Sequence, residues 1–195
     1  MKKNIIITGG LGYIGTELCK IYSGISWNNN ITVIDNRFIS ERVNQLRNWN
    51  MNFIHGDILN RELMKKSLKD ADIVHHLAGI TDVPRVKSES SEEKNKKIEL
   101  VASEGTQNIL DAISSKCKII LPSTHVVYEG IEEVKNEIKE NDETSPKLSY
   151  AKSKDLNEKQ LKKSGKNYVI LRLGSVYGYS SDTARIDIMP NLFSK

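Results

Sequence analysis

The chain has 195 residues, 38% of them hydrophobic, enough to fill one core but short for two complete domains. Its net charge of +4 is spread over lysines in stretches such as SEEKNKKIE and EKQLKKSGK, with no concentration of basic and aromatic residues to suggest a nucleic-acid partner. No apolar run approaches the ~20 residues of a membrane span, and Cys19 and Cys117 lie far apart without CxxC spacing, which argues against a disulfide framework or a zinc site.

A reduced, cytoplasmic compartment and no metal are therefore expected. The apolar run after MKK breaks at Thr8-Gly9-Gly10, too early for the core of a secretion signal.

In chain order, β-branched runs predict strands at 4–8, 31–35, 51–56, 71–79, 117–123 and 167–174. Segments with helical spacing lie between them, most clearly through Ile98, Val101, Ala102, Gly105, Ile109 and Ala112. Strands alternating with helices predict an α/β fold of Rossmann type: a doubly wound, mainly parallel sheet in the order 3-2-1-4-5-6, with helices on both faces. The strands are continuously hydrophobic, as strands buried on both sides must be. The acidic stretch 129–147 reads as a solvated excursion. Trp27 and Trp49 read as local packing, and His75 and His76, adjacent on one strand, must point to opposite faces and so cannot chelate one metal together.

The first strand runs into Gly10-Leu11-Gly12-Tyr13-Ile14-Gly15, a G-x-G-x-x-G pattern that opens a helix over 13–23. Such a turn needs backbone without Cβ, to reverse tightly, to admit a pyrophosphate and to pack helix on strand; the phosphates then meet the positive helix end. Asp35 ends the second strand, twenty residues after Gly15, where a carboxylate would hold the adenosine ribose and repel a 2′-phosphate. NAD is favoured over NADP, although Arg37 would either accept such a phosphate or stack on adenine. Asp57, in HGDI, either reaches the adenine amino group or caps the following helix.

Further on, Tyr150 and Lys154 in YAKSK are four residues apart, on one face of a helix. A phenol, with a pKa near ~10, is a poor base at neutral pH, but an adjacent ammonium and a positive nicotinamide ring would favour the phenolate. Such a pair would take a proton from a sugar hydroxyl while hydride leaves the same carbon for nicotinamide. Thr124, at the end of the fifth strand, would hydrogen-bond the reacting oxygen, and Ser123 would bind cofactor or only pack or cap.

Together these residues resemble the extended short-chain dehydrogenase/reductase family, in particular nucleotide-sugar epimerases and dehydratases of the UDP-glucose 4-epimerase type. The resemblance covers residues 3–178 and rests on TGGLGYIG, Asp35, GDI, HHLAG, GTQNIL, STHVVY, YAKSK and LRLGSVYG. It implies Tyr150 as catalytic acid/base, Lys154 as its electrostatic helper and ribose ligand, and Thr124 as the hydroxyl that orients a nucleotide-sugar. It also implies that Leu77, Ala78 and Gly79 line the ribose and nicotinamide. The candidate cofactor site then comprises Gly9, Gly12, Tyr13, Ile14, Gly15, Asp35, Asn36, Arg37, Asp57, Ile58, Leu77, Ala78, Gly79 and Ser123, with Tyr150 and Lys154.

Departures from the family pattern narrow the expectation. Sugar 4,6-dehydratases follow the threonine with Asp-Glu, and related decarboxylases keep a glutamate; His125 and Val126 stand there instead, which favours an epimerase. Ala102 replaces an asparagine that family members usually place three residues before the glycine of GT. The family continues into a C-terminal lid over the substrate, of which 179–195 would be only the start, after an NAD-binding domain at 1–178. The alternatives are a sugar-nucleotide dehydrogenase or reductase and a truncated NAD-binding module without turnover. In the family, the helix after Tyr150 and the one at 98–113 often form a dimer interface, so a homodimer is expected, with lysines reducing its apolar area.

Overall fold

The computed structural model describes residues 2–25, 28–81, 91–132, 137–178 and 180. Six parallel strands form one sheet: β1 (Asn4–Thr8), β2 (Asn30–Asp35), β3 (Asn52–His55), β4 (Ile73–His76), β5 (Lys118–Thr124) and β6 (Asn167–Leu173). Their order is β3-β2-β1-β4-β5-β6, with Ile7 facing Val33 on one side and His75 on the other. The chain therefore winds outward in one direction from β1 and in the other from β4. That reversal opens a crevice at the carboxyl ends of β1 and β4, where ligands bind in open parallel sheets.

Alternation along the strands builds two cores. Ile5, Ile7, Ile31 and Val33 point to one face and pack with Leu11, Cys19, Val43 and Leu46 under α1 (Tyr13–Ile25) and α2 (Ser40–Asn48). Ile6, Ile34, Val74, Ile119 and Leu121 point to the other, against α3 (Arg61–Leu68), α5 (Thr106–Ala112) and α6 (Ser149–Lys163). Trp49 packs on the first core, as its sequence setting predicts; Trp27 and residues 179 and 181–195 lie outside the described residues.

The observed elements differ from the sequence reading in instructive ways. β4 is shorter than 71–79: Leu77 still donates its amide to the Thr8 carbonyl at 3.0 Å, but beyond it Ala78 and Gly79 turn along the crevice, and at the other end Asp72 gives its carboxylate to the Asn4 amide. The helical pattern around Ile98 is not one α-helix. α4 (Glu92–Leu100) passes into a π turn at Val101–Gly105 before α5 begins. Gly105 lies there against Ile58, where a Cβ would stand 2.4 Å from the Ile58 Cδ1.

The acidic excursion is also tied down rather than simply solvated. Glu129 accepts the backbone N–H groups of Lys147 (2.7 Å) and Leu148 (2.5 Å), and Thr144 donates to Asp155 at 2.7 Å. These bonds fix the entry into α6, whose second residue is Tyr150. Among the described residues, no helix is long and apolar enough to cross a membrane.

Candidate active site

The glycine loop between β1 and α1 packs backbone on backbone. Gly9, at φ +72°, sits so close to the end of β4 that a Cβ there would lie 2.6 Å from the Ala78 nitrogen. A Cβ on Gly15 would lie 2.6 Å from the Gly9 oxygen and the Gly10 Cα, so only glycine lets α1 start against the loop. At Gly12 the nearest atom to such a Cβ is the Gly9 oxygen at 3.1 Å, followed by Arg37 Nη2 at 3.7 Å. The first turn of α1 carries the amides of Ile14 and Gly15, where helices offer N–H groups and a positive dipole end to phosphate. Tyr13 donates its hydroxyl to the Gly178 carbonyl, and Ser180 reaches the Tyr13 carbonyl at 3.4 Å, linking the loop to the segment after β6.

Asp35, buried at the end of β2, holds this loop in place: its Oδ2 accepts the Leu11 amide at 3.0 Å. Its Oδ1 accepts the Arg37 amide at 2.9 Å and Arg37 Nε at 3.2 Å. The arginine predicted to influence cofactor choice thus lies directly on the carboxylate predicted to hold the ribose. Asn36 donates to Asp57 Oδ2 at 2.9 Å, which gathers the adenine-end candidates at the ends of β2 and β3. Asp57 does not cap α3; its Oδ1 accepts the Leu59 amide, and Asn60 is the cap, accepting from Leu63. Ile58 turns its side chain into the core against Gly105.

The carboxyl ends of β4 and β5 and the first turns of α6 meet across the crevice. Lys154 Nζ donates to the Pro122 carbonyl at 3.0 Å and lies 3.9 Å from where a Cβ on Gly79 would be, the nearest atom to that open position. Burial lowers the Lys154 pKa from the usual lysine range to about 8. Thr124 is buried at the end of β5 and accepts the Val126 amide at 3.2 Å, which caps the 3₁₀ turn His125–Tyr128 and leaves its hydroxyl proton to donate. Tyr150 is half-buried, one helical turn before Lys154. His125 is exposed and its Nδ1 lies 3.1 Å from the Leu173 carbonyl.

Ser123, on the opposite face of β5 from Thr124, gives its hydroxyl to Glu158 at 2.5 Å. Glu158 is also held by Arg172 and approached by Lys162 at 3.5 Å. Burial alone would raise its pKa, but the hydrogen bonds from Arg172 and Ser123 outweigh it and hold the carboxyl below the ordinary range.

His75 and His76 do point to opposite faces. His75 Nε2 meets the Tyr22 hydroxyl at 2.8 Å under α1. His76 lies between Thr8 Oγ1 (3.1 Å) and Thr106 Oγ1 (2.9 Å), fully buried, and burial, with Lys154 adding to it, lowers its pKa to about 3. Sequence reasoning missed this link, along with Glu158 and Asn157 of α6. The available signal was position: at seven and eight residues after Tyr150, Asn157 and Glu158 fall on the inward side of the helix that carries the tyrosine.

Residues 6–185 match the 3-beta hydroxysteroid dehydrogenase/isomerase family. Over 132 residues the chain is 33% identical to the UDP-N-acetyl-alpha-D-glucosaminuronate decarboxylase of Bacillus cytotoxicus, a stretch covering 66% of this chain and 38% of that protein. Its fold superposes on UDP-glucose 4-epimerase from Brucella ovis in complex with NAD, with TM-score 0.74 and 26% identity, over 95% of this chain and 54% of the other. UDP-glucuronic acid 4-epimerase from Bacillus cereus, solved with UDP-glucuronic acid and NAD, gives TM-score 0.75 and 27% identity, over 96% of this chain and 60% of the other. The chain thus spans between about a third and two thirds of the length of these relatives.

Proposed function

We propose a function from this premise: the chain belongs to the extended short-chain dehydrogenase/reductase family of NAD-dependent epimerases and dehydratases, and is UDP-glucose 4-epimerase-like. It binds NAD in the crevice between β1 and β4 and acts as an epimerase on a nucleotide-activated sugar. The observation that carries the reading is the position of Lys154 Nζ, bonded to the Pro122 carbonyl and the nearest atom to the open side of Gly79, which brings the Tyr150 helix to the chain segment just after β4 that would line the cofactor.

The residues present fit the dinucleotide. Gly12 and Gly79 leave backbone open where a Cβ would intrude, the first turn of α1 faces the phosphates, and Asp35 stands at the ribose. Bound there, NAD supplies a reversible hydride acceptor. Tyr150 takes the proton of a sugar hydroxyl and returns it after the sugar has turned its other face. Lys154 favours the phenolate by its charge and reaches the ribose side of the crevice. Thr124 donates its hydroxyl to the reacting oxygen and keeps it within reach of Tyr150. Val126 offers no carboxylate beside Thr124, so the acid and base needed to eliminate water or assist loss of carbon dioxide are lacking at that place. Residues 1–178 form the cofactor domain in this reading, and 179–195 begin the substrate domain.

Tyr150→Phe tests the assignment. The variant should bind NAD⁺ like the parent and lose turnover of a nucleotide-sugar by a factor of about a hundred or more. Unchanged turnover removes Tyr150 from the mechanism, and stoichiometric release of NADH by the parent would make the enzyme a dehydrogenase instead.

A further inference from the structure

We propose that Asn157, which the chemistry above does not use, is a positioning residue: its carboxamide locks α6 onto the π turn and, through Thr106, His76 and Thr8, sets the backbone at Ala78. The inference rests on the reading of Tyr150, Lys154 and Ala78 as site residues.

Asn157 follows Tyr150 by seven residues and Lys154 by three, so all three share one stripe of α6. It is buried, and its Nδ2 donates to the Ala102 carbonyl and to Thr106 Oγ1, each at 2.8 Å. The Ala102 carbonyl already accepts the Thr106 amide, so Asn157 occupies its second lone pair. One turn further along α6, Gln160 Nε2 donates to the Ser103 carbonyl at 2.8 Å. Two carboxamides of α6 therefore grip two consecutive carbonyls of the π turn, where the helical ladder is displaced and side chains can reach it.

A buried carboxamide is unfavourable unless its N–H groups are matched, and a leucine of similar volume would satisfy burial alone. What the amide adds is direction. Satisfied hydrogen bonds to Ala102, Thr106 and Ser103 specify one orientation of α6, which non-directional apolar contacts do not. The roll of α6 aims Tyr150 and brings Lys154 to Pro122. From Thr106 the contacts continue to His76 at 2.9 Å, from His76 to Thr8 at 3.1 Å, and from Thr8 Oγ1 to the Ala78 amide at 3.3 Å. A continuous polar path thus joins the helix of the proposed acid/base to the strand end that would line the cofactor.

The test uses the full chain, labelled with ¹⁵N and without cofactor. Asn157→Leu and Thr106→Val should each fold and shift both the His76 ring nitrogens and the Ala78 amide, and the double variant should shift them by less than the sum. Leu161→Ala, which empties a neighbouring core position on α6, should leave both signals in place while lowering stability. Unchanged signals in folded Asn157→Leu, or an equal shift in Leu161→Ala, would overturn the proposal. If Asn157→Leu does not fold, Asn157→Ser, which leaves Thr106 and His76 in place, decides on the same signals. NAD⁺ affinity is read separately, with an expected loss of about tenfold in Asn157→Leu. Failure of the parent to bind NAD⁺ would count against the proposed function, while the resonance shifts still decide the positioning role.

Discussion

The buried Glu158 and the half-buried Arg172 meet in a two-pronged contact, Arg172 Nε donating to Oε1 at 3.0 Å and Nη2 to Oε2 at 2.6 Å. Arg172 also donates to the Tyr128 hydroxyl and lies over the Tyr128 ring, 4.9 Å from its centroid. One carboxylate thereby ties α6 to β5 through Ser123 and to β6 through Arg172. Removing Arg172 leaves the buried Glu158 carboxylate without its main partner, which costs about 3–5 kcal/mol. Arg172→Met should therefore lower the unfolding free energy by that order in urea melts. A loss below about 1 kcal/mol would mean that the contact is no stronger than an exposed pair.

The glycine loop offers a second prediction. Gly15→Ala places a methyl 2.6 Å from the Gly9 oxygen and Gly10 Cα, both backbone atoms that cannot step aside. The loop must shift or α1 must move. The variant should lose NAD⁺ affinity by at least about tenfold, measured by calorimetry. Gly24→Ala, where a Cβ meets nothing within 4 Å, should leave affinity unchanged and serve as the control within the same helix.

The proposed preference for NAD⁺ rests on Asp35. Asp35→Asn keeps an acceptor for the Leu11 amide but removes the charge that holds Arg37 and repels a 2′-phosphate. The preference for NAD⁺ over NADP⁺ should narrow by about tenfold, or ~1.4 kcal/mol, in paired titrations. An unaltered ratio would show that the carboxylate charge does not set the preference.

His76 makes the fold sensitive to acid. Its pKa falls from 6.5 in the unfolded chain to about 3 in the folded one. Between those values the unfolded chain binds the extra proton, so stability falls as pH falls, by at most about 1.4 kcal/mol per pH unit. His76→Asn removes that proton. Comparing urea melts of parent and variant from pH 7 down toward about 4 should therefore give a steeper decline for the parent. Parallel declines would mean that His76 takes up its proton as readily folded as unfolded.

Much of the fold was legible because its signals are local. Ile5 to Ile7, Ile31 to Ile34 and Ile119 to Leu121 are apolar on both faces, which only a covered parallel strand requires. The glycine loop and Asp35 were legible for a similar reason: a tight turn and a carboxylate at a set distance after it. Contacts between distant segments were not. His76 pairs with residues 68 and 30 positions away, and Glu158 looks like one more charge in a lysine-rich helix until β6 brings Arg172 beside it. The π turn hid within an apolar spacing that also fits an α-helix. Glu129 read as a solvated charge, since only the fold brings it to the amides of Lys147 and Leu148.

The most direct measurement is a calorimetric titration of the purified chain with NAD⁺, repeated with UDP-glucose and with UDP-glucuronic acid present. The account predicts saturable one-to-one NAD⁺ binding, strengthened by one of the two nucleotide-sugars. Absence of NAD⁺ binding by folded protein would contradict it.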